Sequence, residues 1–346
     1  MTVTLKDLAK ACGMSVGTVS RALNNKEEVS SATSDKIKQL AQSLGYVPNR
    51  AGKALSAQKN LCLIGILLPS INSPFFDEIK RGIDNAYQEF KDLGLDILLI
   101  EKEGWNVEEH LQAIEELKQR GCKAFALCTV NDERIRDKIN QLSDEQLPVV
   151  LINNDIPDVR KLCFVGPDYY RSGQIAAGML DKCSQGKELR LLIVMGLKEH
   201  AGHKARVQGF LSELDKRKVN YKVEQIIEGM DNDIITQQAS MQAFAACPEI
   251  NTVYMVTGSG VSGLGAAIIA KRDVKRFVIA CDEIYTTREL VKGDIIDFVI
   301  CQEPRNQGYQ AIKKLHECLV RQQLPVVGAP DYIVDSLIKI KNHFER

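Results

Sequence analysis

The chain has 346 residues, which at about 100 to 200 residues per domain predicts two or three domains. Hydrophobic residues make up 45% and charged residues 26% of the sequence, so a disordered, collagen-like or coiled-coil chain is excluded. The formal net charge is zero, but residues 1–60 hold nine basic and four acidic side chains, against 36 basic and 41 acidic side chains in the remainder. Because only the first part attracts a polyanion, we expect any nucleic acid to be bound there.

No apolar run approaches the roughly 18 residues of a membrane helix, and the opening residues, MTVTLKDLAK, lack the apolar core of a signal peptide. We therefore expect a cytoplasmic protein. The ten cysteines stand singly in apolar stretches without a CxxC pair, and no histidine is spaced with them as in a zinc site. This distribution indicates buried, reduced thiols and predicts neither a metal nor a cofactor.

Three short helices are predicted at the N-terminus. Thr4 is a candidate N-cap for a helix over 5–11, and a turn containing glycine follows it. Ser15 caps a second helix, which runs to about Leu23, and a third helix extends over about 31–44. The pattern is typical of a helix-turn-helix but also of a plain helical hairpin.

The segment TLKDLAKACGMSVGTVSRALNN, residues 4–25, resembles the DNA-binding head of the lactose and galactose repressor (LacI/GalR) family. The family signature is Leu-x-Asp-[Val/Leu/Ile]-Ala, followed by Val-Ser-x-x-Thr-Val-Ser-Arg-x-Leu-Asn, and only Met14, in place of valine, departs from it. The resemblance continues through GYVPN at 45–49 into the rest of the chain. It implies a small all-α helix-turn-helix domain over residues 1–47.

In helix-turn-helix docking the second helix enters the major groove, which makes Val16, Gly17 and Arg21 the candidate base-reading residues. Arg21 can make a bidentate contact to guanine, worth ~1 to 3 kcal/mol of discrimination, whereas Val16 offers apolar contact to a thymine methyl. The resemblance implies that phosphate contacts come from polar side chains around this helix, namely Thr4, Ser15, Thr18, Ser20 and Asn24. The alternative is that Ser15 is only a cap and Thr18 only a helix-surface residue.

Residues 48–60 form a predicted hinge between the head and the body. The resemblance implies that this segment folds on the DNA operator, where Asn49 contacts the DNA and Leu55 wedges into the minor groove and bends the duplex. Gly52-Lys53 stands where the family usually has Ala-Arg, and glycine lowers helix propensity by ~1 kcal/mol relative to alanine. We therefore expect a looser hinge.

From residue 61 the sequence alternates between short apolar runs and amphipathic stretches. The predicted strands are 61–68, 95–100, 124–128, 148–152, 190–195, 221–227, 252–256, 276–280 and 297–301. Their near-continuous apolar character favours parallel, doubly wound sheets between helix layers. The body over 61–346 resembles a two-lobed periplasmic sugar-binding protein of the ribose-binding type.

The size of the body predicts two α/β lobes. We expect the first lobe over about 61–162 with 303–330 and the second over about 163–302 with 331–346. Residues 163–184 would carry the chain across, and it would return near 301–303.

Ligands of such sheets bind at the carboxyl ends of the strands. Phe75 and Phe76, after the first strand, can stack on a sugar ring or equally begin a helix as core residues. Asn153 and Asn154, after the fourth strand, can bond hydroxyls or equally form a loop turn.

Three further candidates follow from the resemblance. Arg206 stands in an Arg-x-x-Gly-Phe motif, where relatives have an arginine that faces the ligand. Asp282 follows a strand where relatives have an aspartate that bonds ligand hydroxyls, and Gln302 lies in a motif similar to a Gln-x-Pro-x-x-x-Gly hinge of pentose-binding relatives. Together they favour a sugar or another polyol.

Two positions depart from the family pattern. Ser259, between two glycines, stands where relatives often carry Asn-Asp, and His200 falls where a purine-responsive relative has a polar ligand contact. Both remain candidate effector-binding residues. His200 and His203, with Lys198 and Lys204, could instead bind a phosphate or carboxylate. The alternative is that these residues are solvated loop charges.

A dinucleotide site is the competing interpretation. Residues 258–263 read GSGVSG, a GxGxxG motif between a predicted strand and a helix, and Asp282 follows about twenty residues later. The motif would give an NAD(H)-binding redox sensor or dehydrogenase, but it lies late in the chain and coincides with the ligand loop of a sugar-binding lobe. No GxSxG elbow and no paired carboxylates indicate a hydrolase, so no enzyme is predicted.

These observations predict a homodimeric transcription regulator, a repressor, that binds a palindromic double-stranded operator. A small sugar or polyol between the two lobes would change its operator affinity through reciprocal linkage, typically ~1 to 3 kcal/mol. We expect no membrane partner, and association with the nucleoid when the operator is bound.

Overall fold

A computed structural model describes residues 3–23, 29–44, 62–71, 73–272, 274–320 and 324–345. The chain divides into two compact units, an N-terminal head and a body, which are described separately. The predicted hinge at 48–60 lies outside the described residues, as do Asn24, Asn49 and Leu55, and their DNA contacts stay predictions.

The described residues of the head form three helices, α1 (Leu5–Cys12), α2 (Val16–Leu23) and α3 (Ser31–Ser43), as predicted. Thr4 caps α1 in a capping box with Asp7, which satisfies two backbone N–H groups at the start of the helix. Gly13 ends α1 in the left-handed conformation, at φ 64°, which glycine adopts without steric cost. The three helices bury a small shared core around Leu8, Val19 and Ile37.

The first sheet of the body has the strand order β11-β5-β4-β3-β1-β2, with all neighbours parallel. Its strands are β1 (Cys62–Leu68), β2 (Leu95–Glu101), β3 (Ala124–Leu127), β4 (Val149–Ile152), β5 (Cys163–Pro167) and β11 (Tyr332–Val334). It packs with the helices α4 (Pro74–Phe90), α5 (Val107–Gln119), α6 (Glu133–Asp144) and α12 (Pro304–Leu319). Buried side chains such as Phe125 and Leu151 fill the core of this first lobe.

The second sheet has the order β12-β10-β9-β8-β6-β7 and is parallel except for its edge strand β12. Its strands are β6 (Leu189–Met195), β7 (Tyr221–Glu228), β8 (Thr252–Met255), β9 (Phe277–Cys281), β10 (Phe298–Cys301) and β12 (Leu337–Lys339). Helices α7 (Tyr169–Ser184) and α8 (Ala201–Arg217) share a core with one face, and α9 (Asp233–Ala246) and α10 (Val261–Ala270) with the other. Helix α11 (Tyr285–Lys292) packs beside α10.

The boundary between the lobes differs from the prediction. We expected the first lobe to end at about 162 and to exclude 331–346, but β5 pairs with β4 and β11 pairs with β5, so both strands belong to the first sheet. The chain therefore passes between the lobes at 167–169, 301–304 and 334–337. The run CFVGP contains glycine and proline and lacks the β-branched pattern that revealed the other strands.

The ten cysteines are all free thiols, and most are buried, whereas Cys183 is exposed. Burial raises the pKa of the Cys122 thiol to about 11. Among the described residues, no helix is long and apolar enough to cross a membrane. In the same part of the chain, no group of three or more histidine, cysteine or acidic side chains is arranged to hold a metal ion.

Candidate functional site

The carboxyl ends of the two sheets carry the polar residues from which a ligand site can be built. Asn153 follows β4 in the first lobe, and Asp282 and Gln302 follow β9 and β10 in the second. Asn153 and Asp282 are both left-handed, at φ 64° and 68°, a conformation that Asn and Asp tolerate better than most residues. Their short polar side chains explain how the chain turns at these strand ends.

Arg206 lies at the centre of this site. It projects from α8 and is 1% exposed. Its Nη1 donates to the Val256 carbonyl at 2.6 Å, and its Nη2 lies 3.4 Å from the Asp282 carboxylate. The guanidinium also lies 4.8 Å from the centre of the Tyr169 ring, at cation–π distance. The buried charge is thus compensated by one carboxylate, one carbonyl and one aromatic face.

A chain of side-chain hydrogen bonds connects the two lobes. Gln302 donates to Asp282 through Nε2 and accepts from Asn153 Nδ2 at 3.4 Å. Tyr169 donates to Asn153 Oδ1 at 3.0 Å, and burial raises the pKa of this hydroxyl, which keeps it protonated as a donor. Asn153 from the first lobe therefore contacts groups that lead to Arg206 in the second. We call Asn153, Tyr169, Arg206, Asp282 and Gln302 the cleft network.

Asn154 is placed differently from its neighbour. Its Nδ2 donates to the Thr129 carbonyl at 2.7 Å, within the first lobe. The Thr129 hydroxyl in turn bonds His110 Nδ1 at 2.7 Å, while His110 Nε2 contacts the Gly104 carbonyl at 3.2 Å. Burial lowers the pKa of His110. Asn154 stabilises the loop, as in the turn interpretation, and its contact with an effector stays a prediction.

Phe75 and Phe76 begin α4, with their rings edge to face at 5.3 Å. Phe76 is buried, as in the core interpretation, and Phe75 is half-buried. Of the two rings, Phe75 is the more accessible for stacking on a ligand.

His200 caps α8 and stacks on His203, with ring centres 4.3 Å apart. Trp105, from the loop between β2 and α5 in the first lobe, lies edge-on to His200 at 5.4 Å. Burial, assisted by the charge of Arg206, lowers the pKa of His200 to about 4. The imidazole is therefore neutral near pH 7. Sequence reasoning missed Trp105, because a single aromatic residue in a loop carries no periodic signal.

The lysines near these histidines are paired with glutamates. Lys204 contacts Glu199 at 2.7 Å, and Lys198 contacts Glu228 at 3.9 Å. This pairing favours the interpretation of solvated loop charges over a phosphate or carboxylate site.

Asp231 is a second residue that sequence reasoning missed. It follows β7 at φ 50° and accepts a hydrogen bond from Thr257, which follows β8, at 3.3 Å. Burial raises the pKa of Asp231 to about 6, and the charge of Asp282 contributes in the same direction. The polar run Asp231-Asn232-Asp233, shortly after a predicted strand, was the signal that could have identified it.

The glycine motif is explained by packing within the second lobe. A side chain at Gly258 would meet Asp282 Cβ at 2.8 Å, and one at Gly263 would meet the Asp233 carbonyl at 1.9 Å. Gly260 is left-handed, at φ 82°. Half-buried Ser259 donates its backbone N–H to Thr257 at 3.1 Å. Because neighbouring protein atoms occupy the space that these glycines leave, a dinucleotide is not favoured.

In the head, α2 presents an exposed surface that includes Val16, Gly17 and Arg21, with Val16 41% exposed. Arg21 Nε donates to the Gly17 carbonyl at 3.2 Å. Ser15 accepts from the Thr18 N–H at 3.0 Å, as expected of a cap, and Thr18 and Ser20 are half-buried. The structure thus presents the predicted base-reading residues on one helix, and their DNA contacts stay predictions.

The fold and site define a two-lobed binding protein with a polar cleft between parallel sheets, preceded by a helix-turn-helix head. Residues 64–322 match the periplasmic binding protein domain family, and residues 4–49 match the bacterial regulatory proteins of the lacI family. The chain therefore belongs to the LacI/GalR family of bacterial regulators, as its sequence resemblance indicated.

The chain is 27% identical to the transcriptional regulator DegA of Bacillus subtilis over 229 residues, which are 66% of this chain and 65% of DegA. It is 33% identical to the transcriptional regulator GalS of Salmonella typhimurium over 181 residues, 51% of this chain and 50% of GalS. The chain thus spans less than two thirds of either relative. A solute-binding protein from Burkholderia graminis in complex with D-arabinose shares the fold, with a TM-score of 0.76 and 17% identity over 83% of this chain and 97% of that protein.

Proposed function

We propose that this chain is a sequence-specific transcription regulator, a repressor that binds a palindromic operator as a homodimer. A small sugar or polyol bound between the lobes changes its operator affinity. Two helix-turn-helix heads read two half-sites of a palindrome, which requires two-fold symmetry in the assembly. Such a regulator acts in the cytoplasm, at its operator on the nucleoid.

The cleft network carries the proposal. It brings donors and acceptors from both lobes to the strand ends where ligands of parallel sheets bind, and it includes a fully buried guanidinium. Hydroxyl groups both donate and accept hydrogen bonds, so a polyol can satisfy amides, a carboxylate and a guanidinium together. A half-buried aromatic ring, Phe75, at the start of α4 suits the apolar face of a sugar.

Control of DNA binding follows from the linkage between lobe arrangement and ligand. A ligand that bonds residues of both lobes favours one arrangement of the two lobes. If the operator also favours one arrangement, the effector changes the affinity for the operator, and the operator changes the affinity for the effector by the same factor. We expect a coupling of ~1 to 3 kcal/mol, which is about 5- to 150-fold in operator affinity.

The test uses the full chain and an operator selected from random duplex DNA. Operator affinity is measured by fluorescence anisotropy with and without D-glucose, D-galactose, D-ribose, D-arabinose and myo-inositol. We expect at least one of them to change the affinity for the selected operator. If none of them changes it, the assignment of a sugar or polyol effector fails.

Two variants separate the ligand response from DNA binding. Arg206→Met is expected to abolish the response while the chain still binds its operator, since Arg206 belongs to the body. The matched control is Lys216→Met on the same helix, whose side chain is exposed, and it is expected to keep the response. An unchanged ligand affinity in Arg206→Met would contradict the proposed site.

Two further variants test the head and hinge. Arg21→Ala is expected to lower affinity for the selected operator by ~1 to 3 kcal/mol while leaving nonspecific DNA less affected. Leu55→Ala is expected to behave similarly, because a minor-groove wedge acts only where the duplex bends around it. Equal losses on specific and nonspecific DNA would exclude a role in sequence discrimination.

A further inference from the structure

Asp231 reaches into the cleft over the end of a neighbouring strand. In the second sheet β6 lies between β7 and β8. Gly196, directly after β6, therefore lies between the chain segments that carry Asp231 and Thr257, and the Asp231 side chain reaches across it to the Thr257 hydroxyl. A side chain at Gly196 would meet Asp231 Oδ1 at 2.0 Å and His203 Cε1 at 2.8 Å. The missing side chain of Gly196 therefore leaves room for the Asp231 carboxylate beside the imidazole and within reach of the Thr257 hydroxyl.

The carboxylates in this part of the cleft outnumber the cations. Among the described residues Asp231 has no cationic partner, and Arg206 is paired with Asp282 at 3.4 Å. His200 and His203 are neutral near pH 7, because burial lowers the pKa of each imidazole. The nearby lysines are paired with glutamates, as described above. The strand ends thus present two carboxylates against one guanidinium.

Arg206 also has an unused donor. Its Nε is buried and makes no hydrogen bond among the described residues, while Nη1 and Nη2 are engaged. A buried donor without a partner is unfavourable, so a ligand oxygen beside it would be stabilising. One ligand oxygen has to accept a hydrogen bond from Arg206 Nε while a neighbouring ligand group donates one to the Asp231 carboxylate. Two adjacent hydroxyl groups of a polyol provide this pairing.

We propose that Asp231, Thr257 and Arg206 form a subsite that accepts hydroxyl groups of an uncharged sugar or polyol and excludes its carboxylated and phosphorylated forms. The inference rests on the proposed sensor function and adds the charge class of the effector. An anionic group at this position would face the carboxylates of Asp231 and Asp282 with only one guanidinium to balance all three. Asp231 is a specificity-determining residue in this arrangement.

The test is a calorimetric titration of the full chain with matched neutral and anionic probes. The neutral probes are D-glucose, D-galactose, D-ribose, D-arabinose and myo-inositol, and the anionic probes are D-glucuronate, D-galacturonate and the terminal or ring phosphates of the same compounds. We expect at least one neutral probe to bind and its anionic forms to bind about 10- to 100-fold more weakly, the range of a hydrogen bond to a charged group.

Asp231→Asn is expected to lower the affinity for the neutral probe. It is also expected to reduce the ratio of that affinity to the affinity for the anionic forms by about 10-fold or more. Gly196→Ala is a second route to the same result, because it displaces the Asp231 carboxylate without removing it. Asp294→Asn is the matched control, since Asp294 is also left-handed and lies in the same lobe but is exposed. It is expected to leave the preference unchanged.

Each outcome bears on a different statement. Anionic probes that bind as tightly as the neutral forms, or an unchanged preference in Asp231→Asn and Gly196→Ala, would overturn the subsite while leaving the sensor function in place. If no probe of either kind binds, the sugar-sensor proposal and the subsite fail together.

Discussion

Replacing Asp231 with asparagine is expected to stabilise the ligand-free protein above about pH 6. Burial raises the pKa of this carboxyl from its ordinary value of 3.8 to about 6, so the folded state binds the proton more tightly than the unfolded state does. The stability that this proton provides is fully present below pH 3.8 and is lost as the pH rises through about 6. Asparagine does not titrate and avoids this loss.

The magnitude follows from the two pKa values. A pKa difference of one corresponds to 1.36 kcal/mol, so the change from 3.8 to about 6 amounts to about 3 kcal/mol between the acidic and alkaline limits. Between pH 5 and pH 8 the advantage of Asp231→Asn is expected to grow by about 1 to 1.5 kcal/mol. For a domain of this size, the difference in melting temperature between Asp231→Asn and the wild type is expected to grow by roughly 2 to 6 °C over this pH range.

The assay is thermal and urea unfolding of both proteins at several values between pH 5 and pH 8. Asp294→Asn reports what happens when a carboxylate is removed from an exposed left-handed position of the same lobe. Stability curves of Asp231→Asn and the wild type that run parallel across this range would refute the reasoning, because they would show that folding does not change the proton affinity of Asp231.

Three further predictions concern other parts of the body. Arg206→Met is expected to destabilise it by about 3 to 5 kcal/mol in urea unfolding, because Asp282 remains buried without its cation. Adding Asp282→Asn should recover part of this loss, and simple additivity of the two changes would exclude a direct interaction. Trp105 is the one tryptophan of the chain and contacts His200, so the fluorescence of the protein should change when an effector binds. In His200→Ala the Trp105 ring should become more accessible, and iodide should quench its fluorescence more strongly. Unchanged quenching would exclude the contact. Cys183 is exposed and should react first with a maleimide on the native protein, which peptide mapping would show.

The parts of the fold with a strong local signal could be predicted from the sequence. The nine predicted strands of the body are all present. Seven of them are near-continuous apolar runs with most residues buried, whereas the edge strands β2 and β7 are only partly buried. Strands β5, β11 and β12 were missed. The last two are edge strands of three residues, each held by a single neighbour, which leaves too little pattern to recognise.

The candidate site divides in the same way. Arg206, Asp282 and Gln302 were identified through motifs, and the structure brings them together in the cleft. Asp231 and Thr257 were missed, since their proximity depends on β6 lying between β7 and β8. That order is set by the packing of the whole lobe, and no local pattern in the sequence encodes it.

The cleft network and Asp231 include unfavourable arrangements of polar groups that a ligand can relieve. Among the residues that the structure describes, half-buried Asp231 has no cationic partner and the buried Arg206 Nε has no acceptor. The bond from Asn153 of the first lobe to Gln302 of the second is long, at 3.4 Å, and a ligand that offers a shorter one can replace it. Because those residues belong to both lobes, the free energy gained on binding depends on how the lobes are arranged. Coupling to DNA requires this dependence, because a ligand with equal affinity for both arrangements of the lobes would not change their populations.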